Sequence, residues 1–162
     1  PFVFCMLSDL VPHRFLWAFL LFVTASLTDM LDGYLARRDN LVTNFGKFMD
    51  PLADKLLVCS AMICLVDMSR IPSWIVIIII GREFVISGFR LIASDNGVVI
   101  AANYWGKCKT VCQMFMIIIL IANLGGGFVI VEQILIYASL ILTVISLITY
   151  LWQNRSVLSM QE

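Results

Sequence analysis

The chain has 162 residues, 61% of them hydrophobic and 14% charged, with a mean hydropathy of +0.97. A soluble domain carries about a quarter charged residues, and this much apolar surface exceeds what one compact core can bury, so the expectation is a single membrane domain over residues 1–162. The 11 basic residues balance 11 acidic ones, so neither a global field nor a basic tract points to nucleic acid as a partner.

The opening stretch PFVFCMLSDL has no initiator Met and no basic n-region, so it is not an intact signal peptide. It reads as the tail of an apolar span whose beginning is missing. A spanning helix needs about 20 mostly apolar residues. Phe15 to Ala36 fits that length and ends in Arg37-Arg38. Phe45 to Val66 is polar in its first half and apolar in its second, and Ile71 to Ala93 carries Arg82, Glu83 and Arg90 after a run of isoleucines. The stretch CKTVCQMFMIIILIANL, from Cys108, begins basic and stops at Gly125-Gly126-Gly127; Phe128 to Trp152 is long enough to span with tilt. The expected fold class is therefore all-α, an integral membrane bundle of six transmembrane helices with the first one truncated. Cys5, Cys59, Cys64, Cys108 and Cys112 are odd in number and lack CxxC spacing, which suits small packing residues rather than zinc ligands or disulfides.

With the Arg37-Arg38 side placed in the cytoplasm, Lys47, Lys55, Arg82, Arg90, Lys107, Lys109 and Arg155 fall on the same side, and only Arg14 and Arg70 oppose them. That is a strong positive-inside bias. Most acids gather there too, so the chemistry is expected on one face of the membrane. His13 and the four tryptophans read as interfacial residues.

Asp29, Asp32, Gly33 and Ala36 follow i, i+3, i+4, i+7 spacing, and Gly46, Asp50 and Asp54 follow i, i+4, i+8, so each set lines one helix face. The connection between the two helices is short, which makes them antiparallel neighbours with both carboxylate pairs at one end of a groove. Each carboxylate near a bilayer centre costs roughly 2.5–3.5 kcal/mol, and four together cannot all ionise without compensation. Hard divalent cations supply the missing charge; oxygen ligands suit Mg²⁺ or Mn²⁺, and the cluster has no His or Cys for zinc. Two metals on shared carboxylates suit activation of a nucleophile and stabilisation of a leaving phosphate. Asp39, by contrast, sits beside Arg38 and Asn40 as an ordinary solvated turn residue. Pro51 either frees the carbonyl of Lys47 or is a tolerated proline near a helix start.

These positions match the signature D-x2-D-G-x2-A-R-x8-G-x3-D-x3-D through Asp29, Asp32, Gly33, Ala36, Arg37, Gly46, Asp50 and Asp54. The chain thereby resembles the CDP-alcohol phosphotransferases. TNFGKFMDPLADKLLV, GREFVISGFRLIA and GVVIAANYWGKCKTVCQM are similar to the phosphatidylglycerophosphate synthase branch in particular, and the likeness covers most of Leu20 to Gln113. The resemblance implies a membrane enzyme that joins CDP-diacylglycerol to sn-glycerol 3-phosphate and releases CMP, with Mg²⁺ or Mn²⁺, two per active site. It implies Asp29, Asp32 and Asp50 as metal ligands, and Asp54 as ligand and general base. It also implies Asp29, Gly33, Ala36, Arg37 and Gly46 around the cytidine diphosphate, and a homodimer among membrane lipids with its site facing the cytoplasm (of a cell membrane, if bacterial). The family's Pro-Asn…Thr…Arg segment ahead of the first span is not in this sequence, and a trimmed N-terminus is expected.

Arg82, Arg90, Lys107 and Lys109 lie near the expected cytoplasmic helix ends, with the two lysines flanking a helix N-terminus. Arginine forks and free N–H groups suit phosphate oxygens, so the four form a candidate pocket for the acceptor phosphate. The bland alternative is positive-inside snorkelling; it competes well for Lys109 and less so for Arg82 and Arg90, which interrupt an apolar run. Glu83 can simply pair with a neighbouring cation. Lys47 and Lys55 can touch nucleotide phosphates or lipid headgroups alike. The same cations suit inositol phosphate, so the resemblance rather than charge selects glycerol 3-phosphate over inositol phosphate or serine. A cation transporter using intramembrane aspartates is the rival from another class, but it calls for inverted repeats that are not evident.

Overall fold

The computed structural model describes residues 2–8, 12–38, 44–95, 104–123 and 125–155, and only the backbone at 29, 30, 33, 34, 36–38, 44–51, 54, 94 and 95. Among the described residues the chain is all helical: α1 (Phe2–Leu7), α2 (Arg14–Arg38), α3 (Asn44–Asp67), α4 (Ser73–Asp95), α5 (Tyr104–Ala122), a single 3₁₀ turn at Gly126–Phe128, and α6 (Val129–Gln153). The described residues group into two compact units, one of residues 1–70 and 117–125, the other of 71–116 and 126–162.

In the first unit α1, α2 and α3 touch one another in every pairing. Phe2 packs edge-on against Phe22, ring centroids 5.8 Å apart, and Met6, Ala18, Ala61, Met62 and Leu65 are buried. Three hydroxyls along α2 are satisfied within the helix: Thr24 donates to the Leu20 carbonyl at 2.7 Å, Ser26 to Phe22 at 2.8 Å and Thr28 to Thr24 at 2.8 Å. Such back-bonding lets polar residues sit in an apolar surrounding without an unmet hydrogen bond. α3 continues through Pro51. It ends in a left-handed Ser69 (φ 56°), whose N–H donates to Val66 while Arg70 N–H donates to Leu65, a Schellman cap. The Arg70 side chain donates to the Asn123 side chain at the end of α5.

The second unit is built on α4 and α6, which touch. Both helices bury a stripe with alternating steps of four and three: Ile75, Ile79, Arg82, Ile86, Phe89 and Ala93 on α4; Glu132, Ile136, Ser139, Thr143, Ser146 and Tyr150 on α6. A mean step of about 3.5 residues keeps one seam facing a partner along a whole helix. α6 is inside out by the standards of a soluble protein: Ser139, Thr143 and Ser146 are 0% exposed, while Ile130, Ile134, Ile141 and Ile148 are 70%, 61%, 57% and 61% exposed. Apolar surface on that scale calls for a non-aqueous surrounding. By length and composition, Tyr104–Ala122 and Gly126–Gln153 can each cross a membrane, and Arg14–Thr28 is a shorter apolar stretch. All four tryptophans are exposed and lie within a turn of a helix end.

The expected helices appear with boundaries close to those anticipated, apart from α5. It starts at Tyr104 rather than Cys108, because Tyr104, Trp105 and Gly106 join its first turn and Thr110 closes back on the Gly106 carbonyl at 3.0 Å. Lys107 and Lys109 therefore lie inside the first two turns and do not flank the helix start. The glycine run does break the chain where expected, with Gly125 and Gly126 left-handed (φ 66° and 51°) after Asn123 (φ 46°).

Candidate active site

The expected carboxylates stand on α2 and α3. Both helices are continuous through the relevant positions, so Asp29, Asp32, Gly33 and Ala36 share one face of α2, and Gly46, Asp50 and Asp54 one face of α3. Five residues separate Arg38 from Asn44. That is at most about 20 Å of extended chain, so the end of α2 and the start of α3 stay close. Asp32 is exposed. The side chains of Asp29, Asp50, Asp54 and Arg37, and the surroundings of Gly33, Ala36 and Gly46, lie outside the described residues. As a donor set the four positions offer carboxylate oxygens alone, which fits a hard divalent cation such as Mg²⁺ or Mn²⁺.

The expected basic residues belong to α4 and α5, and here the side chains are described. Arg82 and Lys109 converge on one carboxylate: Arg82 Nη1 lies 2.9 Å and Lys109 Nζ 2.6 Å from Glu83 Oε1. Arg82 Nη2 also donates to the Ser146 hydroxyl of α6, while Arg82 Nε is buried with no acceptor among the described residues. Gly106 makes room for this junction, since a Cβ there would stand 3.3 Å from Arg82 Nη2. Lys109 is buried at 2% exposure, so its ammonium does not snorkel. Glu83 does pair with neighbouring cations, and with two of them.

Arg90 lies two turns beyond Arg82 with its guanidinium over the Tyr150 ring, 5.7 Å from the centroid, and Phe89 meets the same ring edge-on at 5.8 Å. Lys107 is exposed. Of the four basic candidates the structure thus joins Arg82 and Lys109 through Glu83, and sets Arg90 on a separate aromatic seat. Ser146, Gly106 and Tyr150 were not anticipated. For Ser146 and Tyr150 the available signal was the regular spacing of Ser139, Thr143, Ser146 and Tyr150 along a mostly aliphatic helix.

A family model describing the CDP-alcohol phosphatidyltransferases matches residues 1–145. A Bacillus subtilis (strain 168) protein named CDP-diacylglycerol--glycerol-3-phosphate 3-phosphatidyltransferase is 52% identical over 110 residues, 68% of this chain and 57% of that protein. Proteins of the same name from Rickettsia bellii (strain RML369-C) and Mycoplasma pneumoniae (strain ATCC 29342 / M129 / Subtype 1) are 41% and 44% identical over 135 and 98 residues. These cover 81% and 60% of this chain, and 75% and 43% of the relatives. The chain thus spans a little over half the length of the Bacillus relative and about three quarters of the Rickettsia one.

Proposed function

This chain belongs to the CDP-alcohol phosphatidyltransferase family, and from that premise we propose that it transfers the phosphatidyl group of CDP-diacylglycerol to sn-glycerol 3-phosphate, giving phosphatidylglycerophosphate and CMP. The observation that carries the proposal is the complete eight-residue signature, from Asp29 to Asp54, in a chain whose relatives share that activity in their name.

Asp29, Asp32, Asp50 and Asp54 would hold Mg²⁺ or Mn²⁺, two per site. Such ions, when bound, neutralise the pyrophosphate and the charge that develops on the departing CMP. Asp29, Gly33, Ala36, Arg37 and Gly46 line the cytidine diphosphate, the two glycines letting the ligand come close to the backbone. Asp54 takes the proton from the acceptor hydroxyl, which is a poor nucleophile until deprotonated. The oxygen then attacks the phosphatidyl phosphorus in line; the bond to the bridging oxygen breaks, and CMP carries away the electron pair.

Arg82 and Lys109, with Arg90 and Lys107, receive the acceptor phosphate. In support, Arg82 and Lys109 bring a guanidinium and an ammonium to one point, the Glu83 carboxylate, and donors of both kinds suit phosphate oxygens. The protein works as a multi-pass membrane homodimer of six spans with its site facing the cytoplasm. The exposed aliphatic face of α6 and the apolar length of α5 and α6 support the membrane setting. The diacylglycerol tails stay in lipid while the headgroup reaches the groove from the side.

Labelled glycerol 3-phosphate tests the proposal. Its label should move into a lipid-extractable product, one per CMP released. Label that stays in the aqueous phase while serine or inositol phosphate is incorporated would overturn the choice of acceptor and keep the chemistry.

A further inference from the structure

Arg82 lies midway along α4. An arginine side chain has many rotamers, so its guanidinium meets an anion at one angle only where something holds it. α4 supplies one such contact itself, Arg82 Nη1 to Glu83 Oε1 at 2.9 Å, but Glu83 is the next residue and turns with the same helix. Ser146 supplies a contact from outside: its hydroxyl, on α6, accepts from Nη2. Ser146 is 0% exposed, so water does not compete for that bond. Two nitrogens bonded to different groups fix the plane of the guanidinium. Packing alone does not account for the arrangement, because Nε is buried with no acceptor among the described residues, a cost that packing does not repay.

Ser146 also stands apart from its neighbours on the buried stripe of α6. Thr143 donates back to the Ser139 carbonyl at 2.7 Å, within the helix. The hydroxyls of Ser139 and Tyr150 are buried with no partner among the described residues. Of these four hydroxyls, Ser146 alone, among the described residues, bonds to another helix, and the group it meets is charged.

We infer that Ser146 is a positioning residue of the acceptor subsite: through Nη2 it sets the angle at which Arg82 presents its guanidinium to the phosphate. The inference rests on the proposed role of Arg82 towards a phosphate-bearing acceptor. Donors held in place bind more tightly than donors that must be ordered on binding. Serine is neutral, so removing its hydroxyl leaves every charge where it was. A change in anion affinity then reports orientation rather than charge.

The test compares the full chain with its Ser146→Ala and Ser139→Ala variants in detergent, measuring kcat and the KM of each substrate. The same substitution is made at two 0% exposed positions of one stripe, so losses of packing should match. Ser146→Ala should raise the KM for glycerol 3-phosphate about tenfold, the size of one hydrogen bond to a charged group. Its kcat and its KM for CDP-diacylglycerol should stay within about twofold. Ser139→Ala should leave all three within about twofold. An unchanged KM for glycerol 3-phosphate in Ser146→Ala, or a rise that Ser139→Ala shares, overturns the inference. If Ser146→Ala does not fold, Ser146→Cys decides, since a thiol keeps the shape and accepts only weakly. A selective rise in that KM then supports the inference, and a wild-type value overturns it. Wild-type protein that turns over with serine and not with glycerol 3-phosphate overturns the proposed function and this inference with it. Wild type active with glycerol 3-phosphate beside a Ser146→Ala of unchanged KM overturns this inference only.

Discussion

A Cβ on Gly106 would stand 3.3 Å from the Arg82 guanidinium and 3.6 Å from the Ser146 hydroxyl. The first turns of α5 thus pass close to the point where α4 and α6 exchange a hydrogen bond. Replacing Gly106 by Ala gains up to about 1 kcal/mol of helix propensity but pushes the guanidinium by a few tenths of an ångström, so thermal stability should change little. Gly106→Leu cannot be absorbed by such a shift and should cost about 1–3 kcal/mol. Thermal unfolding of both variants in one detergent checks the difference, and equal melting points would contradict the close approach.

Much of this was legible in the sequence because hydropathy and spacing act over many residues. The helices, the glycine break after α5 and the shared faces carrying Asp29 and Asp32, and Asp50 and Asp54, all follow from periodicity. Pairing across helices is different. That Glu83 takes both Arg82 and Lys109 depends on how α4 and α5 are rotated, and that Arg90 seats on Tyr150 depends on α4 against α6. Neither rotation is encoded in local spacing. The earlier start of α5 has a simpler cause: continuous apolar character begins only after Cys108, whereas Tyr104 and Trp105 are ordinary helix formers that add a turn ahead of it.

Tyr150 is 1% exposed, and its hydroxyl is buried without a hydrogen-bond partner among the described residues. Tyr150→Phe keeps the ring that Phe89 and Arg90 contact and removes the unmet hydroxyl. Its stability should equal the wild type or exceed it by about 1 kcal/mol. Tyr150→Ala should lose about 3–5 kcal/mol through the cavity it leaves. A strongly destabilised Tyr150→Phe would mean that the hydroxyl has a partner after all, and thermal unfolding reads the difference.

Ile141 is 57% exposed near the middle of α6. On a soluble protein, Ile141→Lys would change stability by no more than about 0.5 kcal/mol. With α6 in lipid, the same change should cost roughly 2.5–3.5 kcal/mol on insertion scales and reduce the membrane-inserted fraction. Membrane fractionation and protease protection distinguish the two, and normal insertion of the variant would contradict a lipid-facing α6.

Chelator-treated protein should release no CMP, and Mg²⁺ or Mn²⁺ should restore turnover. In Asp50→Asn the half-saturating metal concentration should rise at least about tenfold, since even groups that only support a metal ligand cost that much. A metal titration of wild type and variant side by side is the check; superimposable curves would remove Asp50 from the proposed ligand set.

The most direct measurement is CMP release from CDP-diacylglycerol by the purified protein with Mg²⁺, offering glycerol 3-phosphate, inositol phosphate and serine separately, with Asp54→Asn alongside. Turnover is expected with glycerol 3-phosphate alone, lowered at least about 100-fold in Asp54→Asn, the scale of a lost general base. Full activity in Asp54→Asn, or CMP release that ignores the acceptor, would contradict that expectation.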